Sequence, residues 1–136
     1  KVPVHDALVR CGFLSYVEAR QQEGNARLFP VLEADQHGKL TGNWSKWWGR
    51  YVRGIGITDQ RKVFHSFRHT FKDAVRAAGV DEAINDALTG HSGGGVGRTY
   101  GVGYNLATLN GALQKVAYPD LDLSHVEVGD RPQRAA

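Results

Sequence analysis

Apolar residues recur along most of this chain at helical steps, and glycine separates the periodic stretches. Val2–Val4 predicts the end of a strand, where Pro3 permits only an edge or terminal position. From Asp6 to about Gln22, Leu8, Phe13, Leu14 and Val17 have helical spacing, with Gly12 marking a break. Leu28-Phe29-Pro30 reads as a short extended piece, and residues 33–40 read as a polar loop. Thr41 or Asn43 is expected to cap a helix that runs to about Arg53 and stops at Gly54 and Gly56. Ser66 is expected to cap the next helix, with Phe67, Phe71, Val75 and Ala78 along one face and Gly79 at its end. Asp81 caps a short helix carrying Ala83, Ile84, Ala87 and Leu88, which Gly90 ends. Residues 93–97, GGGVG, predict a flexible turn. Asn105 caps a last helix with Leu106, Leu109, Leu113 and Val116 inward, and the chain turns at Pro119. No repeat is visible. The expected fold is mainly α with a minor edge strand, residues 1–128 forming one piece of a domain and 129–136 a disordered tail.

A chain of 136 residues can bury a core without staples. No apolar run approaches the ~20 residues needed to cross a bilayer. Cys11, the one cysteine, has no intrachain partner, so a disulfide framework is excluded and a reducing compartment is expected. Its apolar surroundings predict a buried small hydrophobe. The chain opens on Lys1 and holds no methionine, which suggests a piece cut from a larger protein.

Charge changes the picture more than composition does. Residues 41–80 hold eight cations against Asp59 and Asp73, a net of +6, while the rest of the chain nets −3. A basic middle in a mildly acidic chain suggests one face turned toward a polyanion. Lys46, Arg50 and Arg53 recur at steps of four and three, so they form one stripe, and Arg61 and Lys62 follow. Such side chains suit the DNA backbone, whose phosphates fix register without reading sequence. A solvated basic face is the rival explanation. Trp44, Trp47 and Trp48 are expected to pack in a core rather than to stack on bases.

Three segments carry candidate chemistry: HSFRHTF at 65–71, LTGHS at 88–92 and GRTYG at 97–101. His65 and Arg68, three apart, share a helical face. His91 follows a helix end and begins the glycine-rich loop, and Tyr100 lies nine positions after it. Arginine suits phosphate because its planar guanidinium donates two parallel hydrogen bonds and stays charged. Each imidazole can donate an N–H or move a proton near neutral pH. The His65/His69 pair has zinc-ligand spacing, but no Glu follows the first His and no third ligand is evident, so no metal is expected. The glycine run lacks the lysine of a P-loop and no strand precedes it; it reads as slack that lets the tyrosine segment move.

This ordered set resembles the tyrosine recombinase (phage-type integrase) family, in which a His-x-x-Arg opens a helix, a Gly-His ends another and a tyrosine follows nine residues on. VPVHDAL at the start, NWSKWWGRYVRGIGI in the middle and KVAYPDLDLSH near the end are also similar to phage-type integrases. The resemblance spans residue 1 to about 125. It implies the C-terminal, helical part of a DNA breaking-rejoining catalytic domain. It implies site-specific recombination through a 3′-phosphotyrosyl intermediate, with Tyr100 as nucleophile, His65, Arg68 and His91 around the scissile phosphate, and His69 in support. It further implies double-stranded DNA as partner and a tetramer on DNA in the full-length protein, residues 105–128 contacting a neighbour. No cofactor is implied, and the place of action would be the bacterial cytoplasm, on the nucleoid. Type IB topoisomerases share the chemistry, but the integrase-like segments favour recombination. The family's set also includes an earlier arginine and a hairpin lysine, neither identifiable here, so the isolated fragment is expected to be inactive. The alternatives are a recombinase-derived module that binds DNA or a partner without cutting, and a plain helical scaffold with chance matches.

Overall fold

The computed structural model describes residues 1–91 and 103–128. Six helices are described: α1 (Asp6–Arg10), α2 (Phe13–Gln22), α3 (Leu40–Gly54), α4 (Ser66–Ala77), α5 (Glu82–Thr89) and α6 (Leu106–Leu113). The chain divides into two compact units, one of residues 1–16 with 71–136, the other of residues 17–70. The expected tail at 129–136 and the glycine run at 93–97 lie outside the described residues.

The first unit carries most of the core. Leu88 of α5 packs with Leu109 and Leu113 of α6, and Phe71 and Ile84 lean on that cluster. Val75, Ala112 and Val116 are also buried. The caps explain why these helices begin where they do. The Asp81 carboxylate accepts from the Ala83 N–H at 2.8 Å, and the Asn105 side chain accepts from the Thr108 N–H at 2.8 Å. Both are caps that the sequence predicts. Leu106 departs from expectation, being 48% exposed; Ala112 takes the inward place on α6 instead.

The chain's start and its later segments are tied within this unit. The Gln114 amide donates to the Val4 carbonyl at 3.1 Å, and its Oε1 accepts from the Asp6 N–H at 3.0 Å. His5 Nε2 meets the Val116 carbonyl at 3.1 Å. Arg10 pairs with Glu127 at 2.8 Å, and the Val128 N–H donates to the Arg10 carbonyl at 2.9 Å. These bonds correct the expected edge strand. Val2–Val4 is not a strand, and no strand is present among the described residues. The Val4 carbonyl is answered by a glutamine side chain, not by a neighbouring strand. Gly12 breaks the helical run as expected, at a φ of 82°. Cys11 is half-buried, not buried.

The second unit is aromatic. Trp48 meets Phe64 and Phe67 edge-on at 5.3 and 5.5 Å between ring centroids, and Trp44 meets Phe64 at 5.4 Å. Trp47 stacks on Tyr51 at 5.3 Å. Val52 is the buried residue of α3, whereas Phe67 is 59% exposed, so the expected apolar face of α4 is not uniformly buried. Leu28-Phe29-Pro30 is not a strand: the chain bends up to Leu28 and turns from Pro30. Helix α3 begins at Leu40, earlier than the expected Thr41 or Asn43 cap, and its Lys39 N-cap makes no side-chain bond. Asp35 organises this start from within the loop. Its carboxylate accepts the His37 and Lys39 N–H groups at 2.9 Å, and a methyl group on Gly42 would collide with it.

Candidate functional site

The loop into α4 is built by short polar bonds. The Asp59 carboxylate accepts from the Arg61 backbone N–H at 3.0 Å, and from the Arg61 guanidinium at 3.0 and 2.9 Å. That pairing holds the Asp59 carboxyl below its usual range. Ser66 opens α4 but does not cap it in the expected way. Its hydroxyl donates to the Arg61 carbonyl at 3.3 Å and accepts the Val63 N–H at 3.1 Å, tying the helix start to the loop. Phe64 and Phe67 flank His65 in sequence and both pack on Trp48, which fixes the segment from the other side.

His65, Arg68 and His69 are brought together by this construction. The Arg68 N–H donates to the His65 carbonyl at 3.0 Å, so Arg68 stands one turn along from His65. The two imidazoles lie edge-to-face, 5.1 Å apart between centroids. His65 and His69 are exposed and Arg68 is half-buried. The ring contact joins His65 to His69, and for Arg68 the bond that places it one turn along is a backbone one.

His91 belongs to the first unit. Helix α5 ends at Gly90, whose φ of 65° is the left-handed conformation that closes a helix. The His91 N–H then donates to the Asp86 carbonyl at 2.9 Å, and the side chain is exposed. Behind it lies a polar core that the apolar pattern does not announce. Asn85 is fully buried and donates to the Lys72 carbonyl at 3.2 Å. Its Oδ1 has no partner among the described residues. The Lys72 ammonium reaches Asp86 at 3.1 Å and Glu82 at 3.5 Å. Arg76 bonds Glu82 and Asp73. Glu82, facing Arg76 first of all, has its pKa held below the ordinary carboxylate value. The one available signal was position: Asn85 lies three before Leu88 on the same helix, a place where a polar residue must find partners. Tyr100, the expected nucleophile, lies outside the described residues.

The basic stretch is less uniform than its sequence. Lys72 and Arg76 are engaged by the acids of α5, and Arg61 by Asp59. Lys46 lines a concavity with Asp35, Gln36 and His37. Arg50 is exposed. Arg53 and Lys62 share the wall of another pocket, of about 470 Å³, with His65, Trp48, Val52 and Phe64. Trp48 closes part of this wall, its indole nitrogen buried and without an acceptor among the described residues. The tryptophans bear out packing only in part: Trp44 and Trp48 are half-buried, while Trp47 is 43% exposed.

Among the described residues, no group of three or more His, Cys, Asp or Glu is placed to hold a metal ion. No described helix is long and apolar enough to cross a membrane. Comparison with family models, with curated proteins and with solved structures gives no match.

Proposed function

We propose that this chain is the C-terminal part of the catalytic domain of a tyrosine recombinase, acting in phage or mobile-element integration. One observation carries the reading: His65-x-x-Arg68 at a helix start, Gly90-His91 at a helix end, and Tyr100 nine residues later, in that order. The described residues support it locally. His65 is exposed with Arg68 one turn along α4, and His91 is exposed directly after α5.

In this reading the Tyr100 oxygen attacks a DNA phosphorus and forms a 3′-phosphotyrosyl bond. The bond from phosphorus to the 5′ oxygen breaks, and the leaving oxygen takes a proton to become a 5′-hydroxyl. Negative charge grows on the non-bridging oxygens as the tyrosine adds. Arg68 stabilises it with paired hydrogen bonds, which act most strongly on the transition state. His65 and His91 each donate an N–H or carry the proton, and His69 supports His65. One ester replaces another, so a second 5′-hydroxyl can reseal the strand without a nucleotide cofactor. The basic residues of α3 and the following loop meet double-stranded DNA. The full-length protein works as a tetramer on the bacterial nucleoid, where residues 105–128 also meet a neighbouring protomer. The further arginine and lysine of the family's set are not identifiable among these 136 residues, and this chain alone is expected not to cut.

The test uses the full-length protein and a nicked duplex carrying its own recombination site. A protein–DNA adduct stable to denaturation is expected. Arg68→Ala should slow its formation about 10²–10³-fold, with Arg68→Lys recovering only part because an ammonium cannot donate the planar pair. Melting measured in parallel separates loss of chemistry from loss of fold. DNA retention with no adduct in the unsubstituted protein would overturn the reading in favour of a non-cutting DNA-binding module.

A further inference from the structure

The cations that the sequence sets out as one basic surface are sorted by the structure into different surroundings. Arg61 is matched by Asp59 through a forked pair, and Lys46 lines a separate concavity with Asp35, Gln36 and His37. Arg53 and Lys62 are left on the wall of the pocket that also includes His65. Arg53 reaches back along α3 toward the same wall. A methyl group on Gly49 would come within 3.4 Å of its guanidinium, and Gly49 lines the pocket as well. The one acid of this pocket is Asp59, which the Arg61 guanidinium bonds and Lys62 also faces electrostatically, so the charges of Arg53 and Lys62 leave the wall positive around Val52 and Phe64.

We propose that Arg53 and Lys62 form a seat for one backbone phosphate of the DNA strand, on the His65 side of the site. The proposal rests on the recombinase reading and sharpens it. Two of the five basic residues of α3 and its following loop hold a defined phosphate, while Lys46, Arg50 and Arg61 supply only diffuse charge. Two cations of different reach suit an anion with several oxygens: arginine offers a planar fork and lysine a mobile point charge. Because the seat shares a wall with His65, a phosphate held there fixes the strand's register beside the residue proposed to act on the scissile phosphate. The Trp48 indole nitrogen is closed off from the pocket space and is not one of the donors.

The test is DNA binding by the full-length protein across a salt series, where each lost phosphate contact lowers the slope of log affinity against log salt by about 0.9. Arg53→Gln and Lys62→Gln should each flatten the slope by roughly that amount and weaken binding about three- to tenfold. Lys46→Gln and Arg50→Gln, which lose only diffuse charge, should weaken binding and flatten the slope less than either of these. Lys62→Arg should keep the slope, showing that charge and not fold is at stake. A duplex with one phosphate neutralised as a methylphosphonate locates the seat: one position should weaken the unsubstituted protein more than Lys62→Gln, in which Arg53 alone still meets that phosphate. Equal effects from all four glutamine variants, or no position with that behaviour, overturn the proposal. A protein that forms the covalent adduct yet shows uniform slopes sinks the seat alone. One that shows the seat but never forms an adduct sinks the cutting reading alone.

Discussion

Tyr100→Phe in the full-length protein is expected to abolish the covalent DNA adduct, with a loss of at least about 10⁴-fold, as for removal of a nucleophile elsewhere. A phenyl ring has no oxygen to bond phosphorus, and in the proposed roles Arg68, His65 and His91 stabilise charge or move a proton without supplying an attacking atom. The effect therefore exceeds that of Arg68→Ala, which removes charge stabilisation but leaves the attacking atom. DNA binding and the melting midpoint should stay close to those of the parent protein, since one hydroxyl is lost and no charge. Two neighbouring tyrosines serve as controls. Tyr104 is exposed and lies thirteen residues after His91, so Tyr104→Phe should leave adduct formation intact. Burial pushes the Tyr118 phenol up, away from the ionised form that a nucleophile needs. The measurement is the yield of adduct on a denaturing gel, and an adduct that survives Tyr100→Phe removes Tyr100 from its role.

The second large effect is on stability. The Lys72 and Asp86 side chains are 16% and 11% exposed and 3.1 Å apart. Deleting Lys72 removes the ammonium that Asp86 and Glu82 share, and breaking a largely buried pair costs up to about 3–5 kcal/mol. Lys72→Ala should therefore lose that much against a total of roughly 5–15 kcal/mol for a domain. Removing both charges with Lys72→Met and Asp86→Leu should recover part of it, because the desolvation of the carboxylate is then removed together with the ammonium that offset it. Chemical denaturation of the three variants reads the difference directly. A single variant as stable as its parent would mean that water already screens the pair. The pair lies close to the proposed site: the backbone carbonyl of Asp86 accepts the His91 N–H, while its carboxylate accepts from the Lys72 ammonium.

Much of the helical frame was legible because its signals are local. Asp81 and Asn105 cap as their side chains require, and Gly12 and Gly90 stop helices where the backbone must turn left-handed. Signals that depend on distant partners were not legible. The start of α3 depends on an Asp35 carboxylate folded over Gly42. Val2–Val4 has β-branched residues, but whether they pair depends on a neighbour, and Gln114 answers Val4 instead. The strongest miss is the Lys72–Asp86–Asn85 core. Charge counting placed Lys72 and Arg76 on a surface turned to a polyanion, whereas acids from α5 engage them. At the candidate site, the four-residue step brings the His65 and His69 rings into contact and the three-residue step sets the Arg68 backbone one turn from His65, because such steps are a property of one helix. The nine-residue step from His91 to Tyr100 is a family resemblance with no such local geometry behind it, and it ends outside the described residues.

That step is where a direct measurement counts most. A structure of the full-length protein trapped on a nicked duplex gives the distances around the bridged phosphorus. The account predicts the Tyr100 oxygen bonded to phosphorus, with nitrogen atoms of Arg68, His65 and His91 within about 3.2 Å of that phosphate's oxygens. Phosphorus bonded to another residue, or an Arg68 guanidinium turned away from the bridged phosphate, would contradict it.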